Sequence, residues 1–307
     1  MAERATGAGE VTRCGFVALI GAPNAGKSTL TNALTGSKVA IVSPKVQTTR
    51  TLVRGIAIVG QAQLVFIDTP GIFAPRRRLD RAMVTAAWGS ARDADLVATL
   101  VDAKRGLDDE TGAILGKLTE VAQPKVLVLN KVDLVEKPSL LALTQAANER
   151  ARFAATFMVS ALAGDGVSDL RDWLAAHAPE GPWHYPADEV SDAPLRQLAA
   201  EITREKLYLK LHQELPYQSA VETTAWQEKP DGSVRIEQTI TVERESQRKI
   251  VLGKAGQSIK QIGAAARREL AEILEQPVHL FLFVKVQEGW GDDPEHYRQM
   301  GLEYPEE

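Results

Sequence analysis

From residue 21 to residue 28 the sequence reads GAPNAGKS, a G-x-x-x-x-G-K-S pattern. The apolar run at residues 16–20 predicts a buried strand before it, and the apolar spacing of residues 29–34 predicts a helix after it. A glycine loop between a strand and a helix presents backbone N–H groups and the positive helix end to a phosphate. The stretch therefore predicts a phosphate-binding loop, with a plain glycine turn and a solvated lysine as the alternative.

Particular residues of this loop suit particular parts of a nucleotide. Gly21 and Gly26 let the backbone wrap so that its N–H groups point inward. Lys27 supplies a charge for the β- and γ-phosphates, and the hydroxyl of Ser28 is a ligand for Mg²⁺.

Length and composition limit the class of protein. The chain has 307 residues, 44% of them apolar and 25% charged, which is typical of a globular protein large enough for two domains. No apolar run approaches the roughly 18 residues of a membrane span, and the N-terminus lacks the apolar core of a secretion signal. With the lone Cys14 and five histidines without ligand spacing, we expect a cytoplasmic protein with no His/Cys metal site.

The first 178 residues alternate short apolar runs with helical periodicity, which predicts an α/β fold with a mostly parallel sheet. Ligands of such sheets bind at the carboxyl ends of the strands. The predicted strands are residues 16–20, 55–59, 64–67, 96–101, 125–129 and 156–159.

Two further stretches can contribute contacts to Mg²⁺ or to the γ-phosphate. Asp68-Thr69-Pro70-Gly71 comes directly after residues 64–67. Asp68 can hold Mg²⁺ through a water, and Gly71 can bring its N–H to a γ-phosphate and act as a hinge. In the polar loop of residues 43–50, we expect Thr49 rather than Thr48 to give Mg²⁺ another oxygen.

The base is recognised at two later strand ends. Asp133 of Asn130-Lys131-Val132-Asp133 can accept two hydrogen bonds from guanine, which adenine does not offer. Asn130 holds the loop or contacts the base, and the stem of Lys131 can lie along the ring. Ser160-Ala161-Leu162 can offer a backbone N–H to the guanine O6.

Four such motifs in this order resemble the translation-factor-related Ras-like GTPases, and the resemblance implies GTP or GDP with Mg²⁺. Lys27, Thr49 and Gly71 are the expected catalytic residues, and Ser28, Thr49 and Asp68 the expected metal ligands. Ile72 stands where Ras has a water-orienting glutamine, so we expect slow intrinsic hydrolysis. The expected GTP contacts are Gly21, Pro23, Asn24, Ala25, Gly26, Lys27, Ser28, Thr29, Asp68, Thr69, Pro70, Gly71, Ile72, Asn130, Lys131, Asp133, Ser160, Ala161 and Leu162.

The second part of the chain follows a proline-rich boundary at residues 179–194. The whole chain has a net charge of −4, yet residues 244–268 hold seven Lys and Arg residues against one Glu. Such a patch attracts phosphates, although a solvated helix face with several cations has the same composition.

The pattern of this second part predicts a type II KH domain. It reads as a helix over residues 195–215, strands over 217–227 and 234–243, two helices flanking a G-K-A-G loop at 253–256, and a strand over 278–286. Glycines at both ends of the loop allow a close approach of single-stranded RNA, whereas the alternative is a helix corner whose glycines only permit packing. The expected RNA contacts are Arg248, Lys249, Gly253, Lys254, Ala255, Gly256, Gln257, Ser258 and Lys260.

A GTPase domain followed by a KH domain resembles the bacterial Era family. The resemblance implies binding to the 3′ end of small-subunit (16S) rRNA, assistance in assembly and maturation of the small ribosomal subunit, and peripheral contact with the inner face of the cell membrane. We also expect a monomer. Ala255 departs from the G-K-G-G loop that is common in the family, which implies weaker RNA binding. The expected domains are a tail at 1–12, a GTPase domain at 13–178, a linker at 179–194, a KH domain at 195–290 and a C-terminal tail at 291–307.

Two other functions fit parts of this pattern. A metabolic P-loop kinase has no need of the guanine-reading residues 130–133. A constitutive RNA-binding protein with a structural nucleotide would need a damaged phosphate or Mg²⁺ site, whereas Lys27, Ser28 and Asp68 are all present. We therefore predict a switch in which GTP and Mg²⁺ order the loops near Thr49 and Gly71, the two domains move, and the KH surface is exposed to rRNA.

Overall fold

The computed structural model describes residues 11–45, 48–211 and 218–305, which fold into two α/β units. Most of the predicted N-terminal tail lies outside the described residues. The same holds for Gln47, for the end of the helix predicted at 195–215, and for Tyr217 at the start of the strand predicted at 217–227.

The first unit is built on a six-stranded sheet in the order β2-β3-β1-β4-β5-β6, in which β2 is antiparallel to β3 and the other neighbours are parallel. All six strands predicted from the apolar runs lie inside these elements. The strands are β1 (Arg13–Gly21), β2 (Val53–Val59), β3 (Ala62–Asp68), β4 (Leu96–Asp102), β5 (Lys125–Asn130) and β6 (Ala155–Val159).

Helices cover both faces of this sheet because its central strands are apolar on both sides. In β1, Leu19 faces the layer that contains Leu30, whereas Ile20 faces the layer that contains Trp88. With both faces covered, the carboxyl ends of the strands are left to form a site. The helices are α1 (Lys27–Thr35), α2 (Arg78–Asp93), α3 (Asp109–Lys117), α4 (Lys137–Arg150) and α5 (Val167–His177).

The second unit has the element order that the sequence predicted for a type II KH domain. Its strand β8 is antiparallel to β7 and parallel to β9, and helices pack on one face of the sheet through Ile202, Ile236 and Leu270. The elements are α6 (Leu195–Lys210), β7 (Ser219–Glu228), β8 (Val234–Val242), α7 (Glu245–Leu252), α8 (Gln257–Leu274) and β9 (Val278–Val286).

The segment between the two units runs along the free edge of the larger sheet. The N–H of Ile56 in the edge strand β2 donates to the carbonyl of Val190 at 2.9 Å, and the side chain of Gln63 in the neighbouring β3 accepts the N–H groups of His184 and Tyr185. An edge strand with unpaired backbone groups invites pairing with other chains, so this segment protects it.

Residues after β9 return to the first unit. Trp290–Asp292 form a 3₁₀ turn and α9 spans Pro294–Gln299. Tyr297 is fully buried in an apolar cluster with Met83 of α2 and with Leu302. The described part of the predicted C-terminal tail thus packs on the GTPase unit. Across the described ranges, no helix has the length and apolar character needed to cross a membrane.

Candidate nucleotide and RNA sites

A pocket of about 500 Å³ opens at the carboxyl ends of the parallel strands, a volume within the usual range for a small-molecule site. Segments distant in sequence meet there: the loop before α1, the loop before β2, and the loops after β3, β5 and β6. The predicted contacts that line it are Pro23, Asn24, Gly26, Lys27, Ser28, Thr29, Thr69, Gly71, Asn130, Lys131, Asp133, Ser160, Ala161 and Leu162.

The glycine loop has the backbone that its sequence predicted. Gly26 has a φ of 95° where α1 begins, and a Cβ there would lie 2.2 Å from the Nδ2 of Asn130. Lys27 is buried, and its Nζ donates to the carbonyls of Gly21 at 3.2 Å and Ala22 at 3.0 Å. Burial lowers the pKa of Lys27 to about 8, against the opposing charge of Asp68. An anion in the pocket would favour the charged form of this lysine.

Three oxygen-bearing side chains predicted to hold Mg²⁺ converge beside Lys27. The hydroxyl of Ser28 lies 2.6 Å from Oδ2 of Asp68 and 2.8 Å from the hydroxyl of Thr49, which is 3.2 Å from the same Oδ2. The other carboxylate oxygen of Asp68 is buried without a hydrogen-bond partner within the described ranges. Hydroxyl and carboxylate oxygens are the donors that Mg²⁺ prefers, so this set fits that ion.

Burial raises the pKa of Asp68 to about 6, although Ser28, Lys27 and Thr49 oppose the shift. A divalent cation would stabilise the ionised carboxylate. The neighbouring Thr48 is directed elsewhere, because its hydroxyl pairs with Ser43 at 2.6 Å and donates to the carbonyl of Lys45 at 2.7 Å. The hydroxyls of the two threonines thus have different partners, and the choice of Thr49 as the Mg²⁺ ligand stays a prediction.

The predicted guanine end of the pocket is held together by Asn130. Its Nδ2 donates to the carbonyl of Ala25 at 2.8 Å, and its Oδ1 accepts the N–H of Ala161 at 3.0 Å. Of the two roles considered for Asn130, these bonds show the structural one. Lys131 donates to the carbonyl of Asn24 and to Asp102, while Asp133 is exposed at the pocket wall.

Several predicted contacts lie outside the lining, and several lining residues were missed. Gly21, Ala25, Asp68 and Pro70 are buried beneath it, and the side chain of Ile72 joins the apolar cluster of Trp88. The side chain of Ile72 therefore gives the pocket no polar group. The lining residues that the sequence analysis missed or left in an unassigned loop are Ile41, Val42, Ser43, Pro44, Thr48 and Leu134.

The loop of residues 253–256 joins α7 to α8 with three positive φ angles, 70° at Gly253, 51° at Ala255 and 72° at Gly256. A Cβ at Gly253 would lie 2.6 Å from that of Ser258. Lys254 and Ala255 are exposed, and Gly256 precedes the first turn of α8. The loop is therefore open to a ligand.

The other predicted RNA contacts lie on either side of this loop. Lys249, Gln257 and Lys260 are exposed, and Arg248 forms an ion pair with Glu245 at 3.1 Å.

A groove of about 340 Å³ lies between α8 and β9, and its lining includes Lys260, four residues after this loop. Lys260 and Arg267 line one side, and Leu280, Phe281 and Leu282 line the other. Phe281 was not among the predicted RNA contacts, although the strand that carries it was predicted. The alternation of β9 was the available signal, because it places a second phenylalanine, Phe283, on the exposed face two residues on.

Replacing Ala255 by glycine is expected to raise the free energy of unfolding by about 1 kcal/mol, since an alanine with positive φ is strained. Chemical denaturation of the full chain measures the change. The exposed helical Ala264 provides the control, because glycine there should lower the free energy of unfolding by about 1 kcal/mol. A loss of stability in both variants would contradict the strain at Ala255.

Comparisons with known proteins agree with both units. The family described as 50S ribosome-binding GTPase matches residues 16–131, and the family described as KH domain matches residues 214–291. The chain is 68% identical over 306 residues to GTPase Era of Bradyrhizobium sp. (strain BTAi1), covering 100% of this chain and 99% of that one. It is 70% identical over 296 residues to GTPase Era of Afipia carboxidovorans, covering 96% of each.

Two solved structures share the whole architecture. A crystal structure of Era in complex with MgGDPNP and nucleotides 1506–1542 of 16S ribosomal RNA has a TM-score of 0.90 and 36% identity. A crystal structure of a single-residue variant of Aquifex aeolicus Era bound to GDP.AlF4⁻ has a TM-score of 0.90 and 37% identity. In both comparisons the alignment covers 94% of this chain and 99% of the other. The chain belongs to the GTPase Era family.

Proposed function

We propose that this chain is a GTP-hydrolysing switch that binds the 3′ end of small-subunit rRNA and assists assembly of the small ribosomal subunit. The observation that carries the proposal is the convergence of Ser28, Thr49 and Asp68 within 3.2 Å beside the buried Lys27. Membership in the GTPase Era family agrees with the activity.

The chain's own residues account for binding and activation of the phosphates. Lys27 would contact the β- and γ-phosphates, and Ser28, Thr49 and Asp68 would hold Mg²⁺, which supplies charge neutralisation when it is bound. The N–H of Gly71 would approach the γ-phosphate, and a Cβ at Gly71 would lie 2.8 Å from the Cα of Pro23. Because so little space separates these two loops, we expect loss of the γ-phosphate to displace both.

The RNA part of the proposal rests on the KH unit. The related Era crystallised with a 16S rRNA fragment has the same architecture, and here the loop of residues 253–256 and the adjoining groove are exposed. Single-stranded RNA would place its backbone at Lys254 and its bases in the groove toward Phe281. The location in the cytoplasm and the monomeric state stay predictions from the sequence, and the membrane contact stays a prediction from the family resemblance.

Nucleotide state controls RNA binding in this proposal. The exposed KH loop occurs here together with a Thr49 hydroxyl that is engaged at the Mg²⁺ cluster. We expect this combination in the GTP state. After hydrolysis we expect the Thr49 hydroxyl to leave the Mg²⁺ cluster and the exposure of the KH surface to be reversed.

The decisive experiment measures binding of a small-subunit rRNA 3′-end oligonucleotide with the chain loaded with GDP or with a non-hydrolysable GTP analogue. We expect tight binding with the analogue and weak binding with GDP. Lys254→Glu should abolish binding, whereas Lys137→Glu, an exposed lysine of α4, should not. Equal affinity in the two nucleotide states would remove the switch, and absence of binding in both would remove the RNA function.

Hydrolysis without a partner is expected to stay below about 1 s⁻¹, the lower edge of typical enzyme turnover. The reason is that Ile72 is buried in an apolar cluster and has no group with which to orient water. Phosphate release by the purified chain at saturating GTP and Mg²⁺ measures the rate. A steady rate well above this value would show that another group already positions the water.

A further inference from the structure

The loop that carries Thr49 lies against helices of the KH unit. Glu205 of α6 is buried, and it accepts hydrogen bonds from Lys38 at 2.9 and 3.0 Å and from the N–H of Val42 at 2.8 Å. Glu269 of α8 also pairs with Lys38, and Lys45 donates to the carbonyls of Tyr208 and Leu211. The start of the loop is therefore fixed to the second unit as well as to its own, where Asn32 of α1 accepts the N–H groups of Val39 and Ala40 at 2.9 Å.

The KH unit also contacts the residues on both sides of Thr49. The buried guanidinium of Arg204 in α6 donates to the carbonyl of Thr48. Arg50 is buried as well, and it donates to the carbonyl of Ser219 at 2.8 Å and to the hydroxyl of Tyr208 at 3.0 Å. Thr49 therefore lies between two residues that the KH unit holds.

Arg204 is itself well fixed. Its Nε donates to Glu201 at 2.8 Å, and its guanidinium lies 5.1 Å from the centre of the Tyr208 ring. Both partners belong to α6, a 16-residue helix that packs on β7 and α8. A side chain held by a helix in this way is a rigid support for a loop.

We propose that Arg204 of the KH unit is a positioning residue for the GTPase site, and that it holds Thr49 where its hydroxyl can bind Mg²⁺. The inference rests on the proposed function and adds a residue from outside the GTPase domain to the machinery of that site. Arg204 does not line the nucleotide pocket; it acts through the carbonyl next to Thr49.

The physical reason lies in the loop itself. The described residues on either side of Thr49 have no helical or strand hydrogen bonds, so fixing them costs conformational entropy. Contacts with a rigid helix remove part of that cost before Mg²⁺ binds. The benefit is confined to GTP, because Thr49 is expected to bind Mg²⁺ only when the γ-phosphate is present.

The test compares Arg204→Ala with Arg196→Ala, which removes an exposed arginine of the same helix. The dissociation constants of Mg²⁺–GDP and of a Mg²⁺–GTP analogue are measured for each full-length variant, together with the Mg²⁺ concentration that half-saturates hydrolysis. Losing a hydrogen bond to a charged group corresponds to roughly tenfold or more. We expect Arg204→Ala to lower the affinity for the Mg²⁺–GTP analogue, and to raise the half-saturating Mg²⁺ concentration, by that factor. The affinity for Mg²⁺–GDP should stay within about twofold of the unmodified chain. Arg196→Ala should resemble the unmodified chain.

Two further variants guard against a simple folding defect. Arg204→Lys keeps a donor near the carbonyl and should give intermediate values. Lys45→Ala leaves α6 intact and should also lower the affinity for the Mg²⁺–GTP analogue. Equal losses for GDP and the analogue would make Arg204 merely structural, and unchanged Mg²⁺ dependence in Arg204→Ala and Lys45→Ala would likewise overturn the proposal. If the unmodified chain bound neither guanine nucleotide, the proposed function itself would fall.

Discussion

Replacing Asp133 by asparagine is expected to lower the affinity for GTP and GDP by a factor on the order of 10⁴, the discrimination reached by sites whose polar groups become buried against the bound substrate. The carboxylate is exposed at the pocket wall after the short turn Val132–Leu134, where it can accept two donors of guanine. An amide offers one acceptor and brings a donor toward the exocyclic amine of guanine, so one hydrogen bond is lost and a repulsive contact is gained. Binding of a fluorescent guanine nucleotide measures the loss.

The same replacement should create affinity for xanthosine triphosphate. Xanthine carries a carbonyl where guanine has the amine, so the new amide can donate to it. Glu136→Gln, which removes an exposed charge at the start of α4, is the matched control and should leave the guanine preference unchanged. Loss of both guanine and xanthine nucleotides would mean that Asp133 supports the fold of the loop rather than reads the base.

The parts of the site that the sequence predicted are those set by local chemistry. Gly26 needs a positive φ where a helix begins and tolerates no side chain next to Asn130, and such a requirement leaves a readable pattern. Apolar runs likewise predict the strands, and the order of strands and helices predicts that their carboxyl ends meet. For this reason residues as far apart as Ser28, Asp68 and Asp133 were assigned to one pocket.

Contacts between the two units left no comparable pattern. Arg204 is one cation on an amphipathic helix, and its bond to the carbonyl of Thr48 joins residues 156 positions apart. The burial of Tyr297 could not be predicted from the sequence either, because its neighbours in the chain are polar and its burial depends on Met83 of α2. Ile72 was assigned to the pocket from its place in a motif, whereas the side chain turns toward the apolar cluster of Trp88. Long-range packing decides each of these positions.

These inter-unit contacts give the predicted switch a physical route. Glu269 belongs to α8, the helix that starts directly after the loop of residues 253–256, and it pairs with Lys38 at the start of the loop that carries Thr49. A displacement of α8 by RNA would therefore be transmitted to the Mg²⁺ cluster, and loss of the γ-phosphate would be transmitted in the opposite direction.

Replacing Lys27 by alanine is expected to weaken the binding of both GTP and GDP by between about 30-fold and several thousand-fold. The reason is that truncating one partner of a buried charge pair costs about 2–5 kcal/mol. The fold should tolerate the change. The carbonyls of Gly21 and Ala22, which accept from Lys27, also accept the N–H groups of Ile72 and Ala25, so they keep a partner. Without nucleotide the variant should unfold at the same denaturant concentration as the unmodified chain or higher, since burial already lowers the pKa of Lys27 to about 8.

Calorimetric titration with GDP and with a GTP analogue, followed by denaturation of the nucleotide-free chain, checks both parts of this expectation. Lys104→Ala removes an exposed lysine after β4 and should change neither affinity nor stability. The pattern differs from that of Arg204→Ala, because Lys27 is assigned to the β-phosphate that both nucleotides carry, whereas Arg204 acts through a hydroxyl that only the GTP state engages. Unchanged GDP affinity in Lys27→Ala would place the phosphates elsewhere in the pocket, and it would remove the basis for assigning Ser28, Thr49 and Asp68 to the metal.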